Sequence, residues 1–206
     1  MPSQSRRVTF DKRNFLIYPD VYLPAEDTFL FAHHLAVVQG ERVLDMGTGC
    51  GLLAILVAES ASEVVAVDIN PRAIVCTQKN AAQNSMSHKI NALAGDLFNP
   101  LRPETAFDLI LFNAPYLPVE DNEGETWAEM AWAGGPTGRT VINRFVDQVS
   151  NHLTTTGRTL LMQSTLSNVE ETLKRFSSQR LVSSVIAEAD CFFEKIVLIK
   201  ACRKSK

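Results

Sequence analysis

The sequence predicts an α/β fold: a mostly parallel seven-stranded sheet with an antiparallel last strand and helices on both faces. Three observations predict it. Apolar runs of strand length alternate with segments of helical periodicity. A glycine-rich turn at 47–51 joins the first such strand to a helix. Acids recur at the ends of three successive strands, at Asp45, Asp68 and Asp96.

Taken in order, residues 1–14 are polar and basic and read as a flexible, loosely docked extension of a single domain spanning 1–206. In "AEDTFLFAHHLAVV" (25–38) apolar residues recur at helical spacing, with Pro24 suiting the helix start and Glu26 and Asp27 its positive end. His33 and His34 are adjacent and point to different sides, so they read as core-edge histidines rather than a paired metal site. "RVLDM" (42–46) and "EVVAVD" (63–68) are buried strands flanking the helix "LLAILVAES". Pro71 opens a second helix, "PRAIVCTQKNAAQN". A short strand "INALAG" (90–95) and a longer one "FDLILFN" (107–113) follow, then a polar loop of some 24 residues and a helix over 139–152. Strand "RTLLMQ", helix "NVEETLKRFSS", and strands "LVSSVIAE" and "FFEKIVLIKAC" end the chain. No helix separates the last two strands, so they are expected to pair antiparallel at one edge.

Composition narrows the class. The 206 residues are 46% hydrophobic and 21% charged, as in ordinary soluble globular proteins. A net charge of −3 argues against a nucleic-acid binder, which usually carries a basic face. Four cysteines without a CxxC pair form neither a zinc framework nor a disulfide scaffold, which points to a reducing, cytoplasmic setting. Cys50, in the glycine loop, reads as a small neutral filler. The N-terminus lacks the apolar core of a secretory signal, and no apolar stretch is long enough for a membrane helix.

Asp45, Gly47, Gly49 and Gly51 stand between a strand and a helix in "VLDMGTGCGLLAI". Glycines there permit a tight turn and close approach of a ligand, and the helix start offers free N–H groups. A dinucleotide site wants G-x-G-x-x-G, whereas this chain has D-x-G-x-G-x-G. That form resembles the first motif of the class I S-adenosylmethionine methyltransferases; a glycine turn without a ligand and a nicotinamide site are the other readings. Asp68 can accept from both hydroxyls of a ribose, and Asp96 from an adenine amine, with the Leu97 N–H meeting a ring nitrogen.

The strand at 107–113 ends in Asn113-Ala114-Pro115-Tyr116. The Asn113 oxygen is a neutral acceptor. Ala114 precedes proline and is held extended, which can aim its carbonyl into the same space. Two convergent acceptors suit a planar –NH₂ group on which Tyr116 can stack. An amide nitrogen is a poor nucleophile because its lone pair is delocalised, so holding both hydrogens orients it for attack.

These residues resemble the methyltransferases that modify planar amines. "DVYLPAEDTFLF", "VLDMGTGCG", "DINPRA", "LFNAPY" and "EMAWAGGPTGRTVINRF" are similar to the HemK-related protein glutamine methyltransferases of the archaeal and eukaryotic branch. The resemblance implies S-adenosyl-L-methionine as cofactor, and as substrate the Gly-Gly-Gln glutamine of a class I peptide release factor. It also implies a small zinc-binding activator subunit. Carried onto this chain, Thr28 would contact the methionine end of the cofactor, with Asp45, Gly47 and Gly49 beneath it. Asp68 would hold the ribose, Asp96 and Leu97 the adenine, and Asn113 both cofactor and substrate. Ala114, Pro115 and Tyr116 would complete the catalytic motif, while Trp132, Gly134 and Gly135 shape a substrate loop. Two positions depart from the family: Ala114 where proline is usual, and Asp45 where glutamate is common. The acidic loop after Tyr116 would suit a basic partner. Other open readings are an adenine amine in nucleic acid, a small-molecule amine, and a non-catalytic protein that kept the fold.

Overall fold

The computed structural model describes residues 5–120, 125–191 and 194–203. Its first element is a hairpin of β1 (Arg6–Phe10) and β2 (Arg13–Ile17), followed by α1 (Glu26–His33). The alternating part comprises β3 (Arg42–Met46), α2 (Leu52–Ala58), β4 (Glu63–Asp68), α3 (Pro71–Gln83), β5 (Ile90–Ala94) and β6 (Phe107–Asn113). It continues with the short α4 (Trp127–Met130), α5 (Thr140–Val149), β7 (Leu153–Ser164) and α6 (Val169–Ser178). β8 (Leu181–Cys191) and β9 (Glu194–Arg203) close the chain.

The seven-stranded sheet runs β5-β4-β3-β6-β7-β9-β8. The pairs among β5, β4, β3, β6 and β7 are parallel, and β9 lies antiparallel between β7 and β8. Side chains alternate faces along a strand, and β6 shows what each face meets. The Phe112 ring packs on Phe145 of α5, while its neighbour Asn113 reaches α1. Hence α1 and α5 cover opposite faces. Burial on both sides explains why Leu109, Ile110 and Leu111 are wholly enclosed.

Strand order reverses at β3, whose neighbours are β4 and β6. Parallel sheets leave a crevice beyond the strand ends at such a point. There the ends of β3, β4 and β6 and the turn after β5 converge.

Three features differ from the sequence expectation. Residues 6–14 do not form a loose extension: they belong to the β1–β2 hairpin, turned by Asp11 and Lys12 at φ 45° and 60°. Phe15 is fully buried, Phe10 stacks on Phe29 at 5.4 Å, and buried Asn80 of α3 bonds both Leu16 N–H and Leu16 C=O at 2.8 Å. Second, α1 stops at His33, and the His33 and His34 rings turn back to the Phe29 and Leu30 carbonyls. Third, the long loop contains α4. Residues 1–4 of the expected extension, 121–124 of the acidic loop, and Phe192 and Phe193 lie outside the described residues. Among those described, no helix is long and apolar enough to cross a membrane.

Candidate active site

A cavity of about 280 Å³ opens at the sheet rim beside β3. It is lined by Thr28, Gly47, Gly49, Asp68, Asp96, Leu97 and the whole Asn113–Tyr116 stretch, together with Trp132. The sequence-predicted residues thus converge, with three exceptions: Asp45, Gly134 and Gly135 are not among those that line it.

Asp45 sits behind the glycine turn. Its Oδ2 accepts from Thr48 Oγ1 at 2.7 Å and from the Ala54 N–H at 3.1 Å, tying β3 to the first turn of α2. Its Oδ1 is buried without a partner, and burial pushes its pKa up to about 7. The glycines of the turn divide their work. A Cβ on Gly51 would lie 2.9 Å from Thr77 Cγ2, so Gly51 lets α2 approach α3. A Cβ on Gly49 would meet nothing within 4 Å, so that glycine borders open space on the cavity side.

Asp68 ends β4. Its two oxygens accept from the Gly49 and Asn70 backbone N–H groups, each at 2.8 Å, which draws the turn toward β4. Burial raises its pKa, and those two bonds oppose the rise. Beyond β5, Leu97 takes a positive φ of 48°, and Asp96 is bonded by Arg144 of α5 at 2.5 Å. Cys50 is buried, and burial pushes its thiol up to about 12, which fits an inert filler.

Asn113 carries the decisive polarity. Its Nδ2 donates to Asp27 Oδ2 at 3.0 Å and to Thr28 Oγ1 at 3.4 Å. Its Oδ1 is buried with no partner. A buried acceptor left unmet is costly, so it marks a place where a donor is expected. Tyr116 lies nearly buried beside it, its hydroxyl directed to Asp27.

The loop after Tyr116 is stitched back to the core. Leu117 N–H bonds Trp132 C=O at 3.0 Å, and Gly134 N–H bonds Leu117 C=O at 2.8 Å. Gly134 and Gly135 are packing residues here: a Cβ on Gly134 would lie 2.7 Å from the Gly138 backbone. They brace the loop that brings Trp127, Met130 and Trp132 to the cavity wall.

Sequence reading did not single out Tyr22, Asp27 or Arg144 for the site. Asp27 stands in "PAEDTF", where the helix start alone is enough to account for an acid. Only the fold brings it to Asn113, 86 residues away.

Residues 26–186 match the model of the methyltransferase small domain. A Methanocaldococcus jannaschii protein named as a protein N5-glutamine methyltransferase is 35% identical over 91% of this chain and 94% of its own length. The chain belongs to the HemK-related protein glutamine methyltransferase family. The human methyltransferase HEMK2 is 32% identical over 89% of this chain and 90% of its own. Among solved structures, the E. cuniculi Mtq2–Trm112 complex, responsible for methylation of the eRF1 translation termination factor, superposes with a TM-score of 0.71. That match is 26% identical and covers 90% of this chain and 99% of the other. Of the two positions where this chain departs from the pattern of the glutamine methyltransferase family, Ala114 lines the rim cavity and Asp45 does not. Ala114 follows directly on β6, and Asp45 still holds the first turn of α2.

Proposed function

We propose that this chain methylates the side-chain amide nitrogen of the glutamine in the Gly-Gly-Gln motif of a class I peptide release factor, with S-adenosyl-L-methionine as donor. One observation carries the reading: the Asn113 oxygen is buried, unpartnered and turned away from two acceptors that hold its own –NH₂. The names of the two relatives and of the Mtq2 complex support the acceptor class.

The residues present fit the cofactor. Open space beside Gly49, the Asp68 carboxylate on the same wall, and Asp96 with Leu97 further along match the needs of a ribose and an adenine. Thr28 would meet the methionine end. Bound there, the cofactor supplies an electrophilic methyl group on a sulfonium.

The chain's own residues act on the acceptor. Asn113 Oδ1 takes one N–H of the substrate amide, and the Ala114 carbonyl takes the other. Both acceptors favour the positive charge that develops as the nitrogen lone pair is engaged. Tyr116 stacks on the amide plane, and Trp132 closes the approach. The new N–C bond would replace the donor's S–CH₃ bond, whose electron pair would stay on sulfur as a neutral thioether, and the N–H proton, acidic once nitrogen carries the methyl group, would be lost to solvent.

The reading includes a small zinc-binding activator subunit. β5 ends the sheet, and its Leu93 is an exposed apolar side chain. That edge offers both backbone groups and apolar surface to a partner. The acidic residues Glu120, Glu125 and Glu129 suit a basic substrate, and the cytoplasm is where such a substrate would be met.

The test combines purified protein, with and without the candidate activator, labelled S-adenosylmethionine, and either release factor or DNA. Label on the Gly-Gly-Gln glutamine, abolished in Asn113→Ala, is expected. Label on nucleic acid alone would replace this reading with the adenine one.

A further inference from the structure

The orientation of Asn113 raises its own question. The two ends of an asparagine amide are alike in shape and opposite in polarity. Whether the site accepts from a substrate or donates to it depends on which end faces the cavity. The strand cannot decide this, because rotation about the last side-chain bond exchanges the ends at little steric cost. The neighbours must decide.

Asp27 is the neighbour that does. It is buried on α1, and its carboxylate is ringed by donors. Tyr22 Oη lies 3.0 Å from each of its oxygens, and the Thr28 N–H donates to Oδ1 at 2.6 Å. Thr28 Oγ1 donates to Oδ1 at 3.2 Å, Asn113 Nδ2 to Oδ2 at 3.0 Å, and Tyr116 Oη lies 3.4 Å from Oδ2. Among the described residues no lysine or arginine pairs with it. Its charge is met by neutral donors alone.

Two consequences follow from a carboxylate's being acceptor-only. Turning Asn113 over would set its oxygen against Asp27 Oδ2, acceptor facing acceptor. The second is less direct. Asp27 takes the single hydroxyl proton of Thr28, so toward Asn113 the Thr28 oxygen is left only as an acceptor. Both contacts of the Asn113 –NH₂ are therefore dictated by Asp27, one at first hand and one through Thr28.

We propose that Asp27 is a positioning residue that locks the amide of Asn113 with its oxygen toward the cavity, and so makes the site select an amide –NH₂ over a carboxylate. This rests on the acceptor reading above. A glutamine side chain brings a donor to the fixed oxygen, whereas a glutamate brings a second acceptor. Sites built around a buried hydrogen-bonding group discriminate strongly against a ligand that leaves that group unmet. Tyr22 and Tyr116 take part indirectly, by holding the carboxylate in place.

The test is Asp27→Asn, which keeps the shape and lets residue 27 donate as well as accept. With release factor as substrate, kcat is expected to fall at least about tenfold, and cofactor Kd to change less than kcat, since Asp27 reaches the cofactor end only through Thr28. A release factor carrying Gly-Gly-Glu should compete poorly with the wild-type enzyme. In the variant, its Ki relative to the KM of the Gly-Gly-Gln form should improve about tenfold. A merely structural residue would not move that ratio. Unchanged kcat and unchanged discrimination in a folded variant overturn the proposal while leaving the acceptor reading intact. A wild-type enzyme that does not label the glutamine overturns the acceptor reading and this proposal with it. Should the variant not fold, the wild-type side-chain amide of Asn113, assigned in ¹⁵N spectra by its loss in Asn113→Ala, decides instead. Slow hydrogen exchange supports the lock, and exchange at the rate of an exposed asparagine overturns it.

Discussion

The backbone N–H of Gly49 donates to Asp68 Oδ2 at 2.8 Å, so the acid at the end of β4 holds the glycine turn that follows β3. One carboxylate thus shapes the cavity wall, and in the proposed reading it also holds the ribose. Asp68→Asn leaves a single strong acceptor for two backbone donors. We expect cofactor Kd to rise by about one to two orders of magnitude in calorimetry, with a modest loss of thermal stability. Wild-type affinity in the variant would remove Asp68 from the site.

Gly49 and Gly51 should respond in opposite ways to alanine. Both have positive φ, 57° and 82°, so each substitution costs about 1–2 kcal/mol in backbone strain. Gly51→Ala adds a Cβ 2.9 Å from Thr77 Cγ2 and should lose clearly more stability than Gly49→Ala by urea denaturation. Gly49→Ala finds no such neighbour, and in the proposed reading its Cβ would enter space that the cofactor takes. It should keep most stability and lose most cofactor affinity. The reverse pattern would show that the two glycines had been assigned the wrong way round.

How much of this was legible beforehand depended on burial and on chain separation. β3, β4 and β6 were readable to the residue because both faces are covered, so their sequences are unbroken apolar runs cut by turn residues. The β1–β2 hairpin was not, since its Asp11-Lys12 turn lacks glycine and its solvent side carries arginines. α4 did have a signal, Thr126-Trp127-Ala128-Glu129, and both halves of that capping box form. Four residues of helix carry no periodicity to accompany it. The strand-end acids were visible as a set, but which oxygen faces what is a tertiary matter. Asp45 belongs to the same pattern as Asp68 and yet turns inward to Thr48 and Ala54.

Asp45 also gives the protein a pH signature. Burial raises its pKa to about 7, well above the ordinary aspartate value of about 3.9. The folded state therefore keeps a proton that the unfolded chain has released between about pH 4 and 7, and stability from this group falls as pH rises through that window. Asp45→Asn imitates the protonated form at every pH. The stability difference between variant and wild type should move toward the variant from pH 5 to pH 8, by on the order of a few kcal/mol. Parallel stability curves in chemical denaturation would rule this out.

The hairpin should be an integral part of the core. Asn80 is fully buried, and its amide meets Leu16 N–H, Leu16 C=O and Cys50 C=O, all at 2.8 Å. Asn80→Ala leaves those backbone groups without the side chain and should cost about 2–4 kcal/mol. Phe15→Ala should cost about 3–5 kcal/mol through the cavity it creates. Unfolding midpoints close to wild type in both variants would mean that residues 6–17 dock only loosely.

Ala114 allows the proposed catalytic turn itself to be probed. In the proposed mechanism only its carbonyl acts, and any residue before Pro115 can present one. Asn113 ends β6 in extended backbone, the conformation that a following proline demands. Ala114→Pro should then be accommodated, narrowing the unfolded ensemble and stabilising the protein by about 0.4–1 kcal/mol. Turnover on release factor should stay within about threefold of wild type or rise, because the fixed φ preorganises the carbonyl. Side-chain removal at the neighbouring position should behave in the opposite way, with Asn113→Ala folded but inactive. If Ala114→Pro instead abolished turnover while keeping its stability and cofactor affinity, the carbonyl at 114 would not be the second acceptor. The site would then have to hold the substrate amide through Asn113 and some other group.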